Sequence, residues 1–471
     1  MKASLEPASV TGKLVLTGRL VFGTPLIIGS GEQDDDVDLV VLRDESGQPF
    51  IPATSFAGAL RHFFFRTVDV TGADNEKFSY FWGAQPGGSK DEIYQSALMV
   101  SDLHPIGQVS VAIRDGVKID LSTHTAAEGA KFDYEVVEPT SAFALRAEIT
   151  LREAYDTGDL FKMIAAFLIE SLAQGKIALG AMTTKGFGRC RLDDYALYHY
   201  DFRLKEAVID WLGGTNKEAY RMSELPEHDR LVKKKDRDFV LQADFSLRSS
   251  LIVRSYSVRP SQADAIHLSS AGKPILPGSS LKGALRSRAE TIVNTLGGQG
   301  KEKLRPLFGW VSEDKASQEA CKSRVIVEET PVQNAVWAKQ QRIKVDRFTG
   351  GTIRNALFDS EPLWTPEPGL EQVRVKVTVR DCAPWEAGLM LLLLKDLWTS
   401  DLPIGGEKSI GRGTLMGRQA EIIYGSEKYI LTQEPTGTLQ IHGDQARLEQ
   451  LVSQFVQEIS GREHTEDGGS L

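Results

Sequence analysis

The chain reads as an α+β protein built twice, and three repeated landmarks carry that reading. Pro52-Ala-Thr-Ser-Phe-Ala-Gly-Ala-Leu-Arg61 recurs as Pro277-Gly-Ser-Ser-Leu-Lys-Gly-Ala-Leu-Arg286, an offset of 277 − 52 = 225. Lys118-Ile-Asp120 recurs as Lys344-Val-Asp346 at 226, and Gly186-Phe-Gly-Arg189 as Gly411-Arg-Gly-Thr414 at 225. A shared spacing implies two copies of one domain joined head to tail. Each copy orders its elements as strand, helix, strand, strand, helix, strand, the order of a ferredoxin-like (RRM-like) sandwich. The 471 residues are too many for one core and leave about 200 for each copy.

The first strand of each copy is Lys13–Leu20 and Phe239–Leu247, where apolar and polar residues partly alternate. Short apolar stretches follow at Pro25–Ile28 and Leu251–Val253, then a polar loop. A proline and small hydroxyl residues introduce the first helix, from Ser55 to about Arg66 and from Ser279 to about Leu296, with Ser and Thr expected as N-caps. Phe143–Leu151 and Val373–Val379 are strands, the latter strictly alternating. Apolar helices match at Asp159–Leu172 and Trp385–Leu397. Between the helices each copy carries a long excursion, roughly 101–142 and 325–371, and insertions of that length tend to be functional. The expected divisions are a first domain over 1–200, a linker over 201–236, a second domain over 237–430, and an unrepeated appendage and tail over 431–471.

Apolar residues at 41% and charged residues at 25% fit a folded soluble chain. No apolar run reaches the ~18 residues of a membrane span, and Met1–Glu6 lacks the apolar core of a secretion signal, so no membrane and a cytoplasmic location are expected. Cys190, Cys321 and Cys382 have no paired spacing, which argues against a zinc site or a disulfide framework. A net charge of −9 leaves room for a local basic groove.

Phosphate chemistry is suggested at two places in each copy. Ser279 and Ser280 open a helix carrying Lys282 and Arg286, so amide N–H groups, hydroxyls and two cations converge. The first copy keeps Ser55, Gly58 and Arg61 but has Ala57 for the lysine. Glycine-rich turns at Thr183–Arg189 and Gly405–Gly413 allow close backbone approach and carry Lys185, Arg189, Lys408 and Arg412. Neither has the spacing of a Walker A loop.

These segments together resemble the RAMP superfamily of CRISPR proteins. The excursion from Arg114 through Val137 is similar to the thumb of the repeated backbone subunit of type III (Csm/Cmr-like) effector complexes, and two fused units resemble the III-D group. The resemblance implies a prokaryotic ribonucleoprotein subunit that holds CRISPR guide RNA, pairs it with target single-stranded RNA, and stacks with other RAMP subunits and a large signalling subunit. It also implies cleavage of target RNA by a loop aspartate and a divalent metal, Mg²⁺ or another.

The catalytic loop implied by the family lies between the second strand and the proline before the helix. Its aspartate corresponds to Asp38 in the first copy and Asp264 in the second, an offset of 264 − 38 = 226, and these are the expected catalytic and metal-binding residues. The acidic tip Asp34–Asp36 precedes the first. RNA supplies its own nucleophile, the 2′-hydroxyl, so the protein has only to align sugar and phosphate and stabilise charge. Thumb cations expected at RNA are Arg114 and Lys118, then Arg342, Lys344 and Arg347, with Phe348 available for stacking. A scaffold with one or both loops inert is the alternative. A histidine-based nuclease would have only His124 and His267 to work with, and they lie in different copies.

Overall fold

The computed structural model describes residues 9–31, 37–69, 75–83, 95–120, 123, 125–215, 219–220, 224–232, 237–255, 263–312, 317, 319–365 and 372–461. Asp34–Asp36, His124 and the linker residues 233–236 therefore lie outside the described residues. The protein is mixed α+β and divides into two compact units. The first comprises Met1–Ile113, Asp133–Thr183 and Phe187–Lys234; the second comprises Arg114–Phe132, Thr184–Gly186 and Lys235–Leu471. The second unit thus includes the middle of the first excursion, residues 114–132, and the tip of the first glycine-rich turn.

In the first unit the elements are β1 (Val10–Phe22), α1 (Ala53–Thr67), α2 (Asn75–Trp82), β2 (Leu98–Val100), β3 (Val111–Ile119), β4 (Ala126–Val137), β5 (Ala142–Arg152), α3 (Leu160–Ala173), β6 (Cys190–Asp201) and α4 (Lys205–Gly213). The sheet order is β2-β5-β1-β6, with β1 antiparallel to both neighbours, so Leu16 faces Ala147 on one side and Leu197 on the other. Apolar residues of α1 at Phe56, Leu60, Phe63 and Phe64 follow helical spacing, and they bury with α3 against Leu14, Leu16 and Leu20. On the opposite face, Lys13 pairs with Glu148 at 2.8 Å and sits 4.3 Å from the Trp211 ring of α4. The stretch expected as a linker therefore contains a helix laid on the sheet.

The second unit adds β7 (Phe239–Leu247), β8 (Ala265–His267), β9 (Lys273–Leu276), α5 (Gly278–Thr295), α6 (Gly300–Phe308), β10 (Val325–Val327), β11 (Thr330–Gln333), β12 (Gln340–Val345), β13 (Thr352–Glu361), β14 (Gln372–Val379), α7 (Pro384–Trp398), β15 (Leu415–Tyr424), β16 (Glu427–Gln433), β17 (Leu439–His442) and α8 (Gln445–Ser460). Its sheet runs β9-β11-β14-β7-β15-β16-β17, and β10 also pairs with β14. The strict alternation of β14 buries Val373, Val375, Val377 and Val379 against the core. The unrepeated C-terminal segment packs through Leu448, Leu451 and Phe455 of α8 onto this core beside α7.

One expectation about the helix starts needs correction. The N-cap positions of α1 and α5 are Pro52 and Pro277, with no side-chain cap, and Ser55 and Ser279–Ser280 lie inside the first turn. Proline in an extended conformation (φ −58°, ψ 139° at Pro52) turns the chain directly into the helix. The first amide of α1, at Ala53, donates instead to the Asp102 carboxylate at 2.7 Å. A hydroxyl is dispensable where a carboxylate from another segment takes the donor.

Candidate functional site

The two loop aspartates occupy equivalent settings, one in each unit. In the first unit Val37 is buried and Asp38 beside it is exposed; in the second Ala263 is buried and Asp264 is exposed. Asp38 Oδ2 accepts the Asp133 N–H at 2.8 Å, and Asp264 Oδ2 accepts the Asp359 N–H at 2.9 Å, each across 95 residues. The following residues form parallel bridges, Leu39 with Tyr134 and Ala265 with Ser360. The period-two geometry of that bridge leaves the aspartate on the outward side while its neighbour turns inward. Oδ1 of each aspartate has no hydrogen-bond partner among the described residues, and both residues are exposed.

Residues that the sequence reading passed over hold these loops. Asp133-Tyr134-Glu135 and Asp359-Ser360-Glu361 are themselves a repeat at offset 226, a signal present in the sequence. Glu135 accepts the Val41 N–H at 3.0 Å and pairs with Arg43 at 3.0 Å, tying the segment after Asp38 to the excursion. In the second unit Lys339 pairs with Asp359 at 2.8 Å and holds its carboxyl below the usual range.

The closing glycine-rich turns match bond for bond. Gly188 N–H donates to Pro25 O and Gly413 N–H to Ser250 O, both at 2.7 Å; Leu179 N–H donates to Gly188 O and Ile404 N–H to Gly413 O, both at 2.9 Å. A Cβ on Gly188 or Gly413 would stand 1.8 Å from the carbonyl oxygen of Leu179 or Ile404, and both residues have positive φ, so only glycine fits.

The expected RNA-binding residues separate into three groups. Lys118, Lys344, Arg347 and Lys408 are exposed, as is Ser55; Arg61, Lys185, Arg189, Ser279, Ser280, Arg286 and Arg342 are half-buried. Arg114, Lys282 and Arg412 are buried. Arg114 pairs with Glu329 through two nitrogens at 2.7 and 3.3 Å. Lys282 donates to Val325 O at 2.8 Å and Thr184 O at 3.3 Å. Burial, with the charges of Lys185 and Arg286 nearby, draws its ammonium down to about 7. The start of α5 is equally enclosed, since a Cβ on Gly278 would meet Lys185 O at 2.2 Å and Val327 O at 2.4 Å. Arg286 pairs with Glu290 at 3.1 Å. In this arrangement the α5 start packs against backbone, and the open cations lie on the excursions and the closing turns.

His267, one of the two histidines available to a histidine-based nuclease, is also internal. Its Nδ1 accepts the Val253 N–H at 3.1 Å and its Nε2 faces Ile275 O at 2.8 Å. Burial pushes the imidazole down to about 4, so it is neutral and structural at ordinary pH. In the second unit the sheet face away from the core carries the ion pair of Arg374 with Asp244 at 2.7 Å.

Among the described residues no group of three or more His, Cys, Asp or Glu side chains could hold a metal ion, and no helix is long and apolar enough to cross a membrane. A family model, that of the RAMP superfamily, matches residues 19–191 and 244–415. The matched regions cover most of the chain and coincide with the two repeats, so the chain belongs to the RAMP superfamily. A comparison with curated proteins finds no match.

Proposed function

We propose that this chain is a tandem backbone subunit of a type III CRISPR effector complex, binding guide RNA and cleaving the complementary target RNA once at each loop aspartate. The observation that carries the reading is the duplicated seat of Asp38 and Asp264. In both copies an exposed carboxylate one residue before a parallel β-bridge is oriented by an amide at the base of the excursion. Plain surface acids have no reason to repeat such a hydrogen bond across a duplication. The strand order β2-β5-β1-β6 supports the ferredoxin-like reading, and the long hairpins β3–β4 and β12–β13 support the thumb reading.

The chemistry asks little of the side chains. The RNA 2′-hydroxyl attacks its own phosphate, and the chain has to hold sugar and phosphate in line, leaving a 2′,3′-cyclic phosphate and a 5′-hydroxyl. Asp38 and Asp264 are exposed and each has one oxygen without a hydrogen bond among the described residues, a donor set that suits a weakly held Mg²⁺ retaining most of its waters. When bound there, such an ion would neutralise charge growing on the phosphate. Exposed Lys118, Lys344, Arg347 and Lys408 would meet phosphates of guide and target. Other RAMP subunits and a large signalling subunit complete the proposed assembly.

The test is a cleavage map of target RNA by the reconstituted complex. Asp38→Ala and Asp264→Ala should each erase one cut while target binding persists. Unchanged cutting by the double variant would reject the catalytic role and leave the scaffold reading.

A further inference from the structure

We infer that Arg254 and Arg342 form a phosphodiester-binding site beside the Asp264 loop, shaped by Glu407 and Arg412. The inference deepens the RNA reading above and rests on it. Three guanidinium groups surround one carboxylate. Glu407 Oε1 accepts from Arg254 at 3.1 Å, and Oε2 accepts from Arg342 at 2.8 Å and Arg412 at 2.7 Å. Three positive charges against one negative leave an excess of two at this point.

The arginines are not equivalent. Arg412 and Glu407 are nearly sealed, with side chains 4% and 6% exposed. Every arm of Arg412 is engaged: Nε on Glu407, one terminal nitrogen on Ser250 Oγ at 2.7 Å, the other on the Gln340 amide oxygen. Arg254 and Arg342 are 39% and 33% exposed. The Arg254 side chain makes its one hydrogen bond among the described residues to Glu407; the Arg342 side chain adds a 3.4 Å contact to Gln340. A guanidinium carries five N–H donors, so both keep most of their fork for an incoming anion. A buried, saturated pair thus aims two unsaturated cations.

Position selects the anion. Arg342 follows Gln341, which pairs across the hairpin with Asp359, the residue whose amide holds Asp264. Arg254 pairs in antiparallel register with His267, three residues beyond Asp264. An anion gripped by both arginines lies along the same strand edges as the loop carboxylate, where RNA backbone would pass. The first half has no counterpart. Gly29, Gly116, Met182 and Phe187 stand at the positions of Arg254, Arg342, Glu407 and Arg412. Met182 and Glu407 even share the left-handed conformation, with φ of 55° and 56°. The grip on this phosphate therefore belongs to the second loop alone.

Two measurements on the full chain test the site. Binding of a labelled oligouridylate across a potassium chloride series should weaken about 10-fold in the Arg254→Gln/Arg342→Gln double variant. The log–log salt slope should become shallower by about 0.7, the loss of one single-strand phosphate contact. On the unaltered protein, oligouridylate should protect Arg254 and Arg342, but not Arg19, from phenylglyoxal as mapped by peptide mass spectrometry. The second measurement stands even if the variant folds poorly. Oligouridylate binding without that protection, or with an unmoved slope in a normally folded variant, overturns the phosphate site and spares the RNA reading. Absence of oligouridylate binding by the parent chain overturns both.

Discussion

In the first half, the ring of Phe187 lies 6.2 Å from that of Tyr134, Met182 takes the left-handed position of the closing turn, and Val41 is buried behind the Asp38 loop. At those positions the second half has Arg412, Ser360, Glu407 and His267. One frame is built mainly of apolar and aromatic side chains; the other is built of charges and a buried imidazole. Yet the backbone bonds of the closing turns agree to within a tenth of an ångström, and both aspartates accept the same amide. The comparison teaches that the loop seat is set by main-chain hydrogen bonds, and that its filling was free to diverge in chemistry.

The largest expected effect probes a contact present on only one hairpin. Arg114, fully buried against Glu329, corresponds to Gln340 in the second half. Arg114→Met should cost about 3–5 kcal/mol in denaturant unfolding, because a buried carboxylate loses its countercharge. Pairing it with Glu329→Met should recover most of that loss. If the single variant unfolds like the parent, the pair does not anchor the hairpin.

Next comes the equivalence of the two loops. Each single Asp→Ala variant should slow its own cut by about 10²–10³-fold and leave the other intact. A complex in which only one substitution matters would show that the ionic and the apolar frame are not interchangeable for catalysis.

The third effect is acid sensitivity at His267 and Glu407 of the second half. His267 has its folded value near 4 against 6.5 when unfolded, so between those values the unfolded chain binds more protons. Its stabilising contribution is complete above pH 6.5 and falls by about 3 kcal/mol as pH drops toward 4. Glu407 adds to this lower down. Burial alone would raise its value, but hydrogen bonds from Arg342 and Arg254 outweigh that and hold it low. Its contribution is present above the ordinary 4.5 and is lost as pH falls further. Amide exchange between pH 7 and 4 should therefore loosen peptides around 250–276 before those around 26–51. Equal loosening would contradict the contrast.

The smallest effect lies at a hairpin tip. Phe348 is fully exposed, whereas the ring of Phe132 in the first hairpin covers Gly116. Phe348→Ala should leave thermal stability unchanged and weaken RNA binding by about 1 kcal/mol, the lower range for one stacked base. A stability loss without an affinity loss would assign it a packing role.

Much of this was legible in the sequence because duplication marks its own landmarks. The paired Pro–helix segments, closing turns and loop aspartates all fell at 225 or 226, and the mixed α+β class followed from alternation in segments such as Val373–Val379. The Asp-x-Glu repeat at 133–135 and 359–361 was equally available, but two acids in a variable stretch look like ordinary surface charge until one amide is seen to hold Asp38. Lys282 and Arg412 were less readable. Cations beside glycines suggest phosphate, and nothing local reveals that Val325 O, Ser250 Oγ and Glu407 will surround them.

By itself, then, the sequence determined that the protein is double, where each copy begins its loops, turns and helices, and which acids correspond, since a fixed offset survives substitution of the residues between. Only the tertiary structure decided which cations face water and which are locked inside. That choice depends on partners far away along the chain, as Arg114 and Glu329 are at 215 residues, and on whether desolvation is repaid by a carboxylate or carbonyl placed there by the fold.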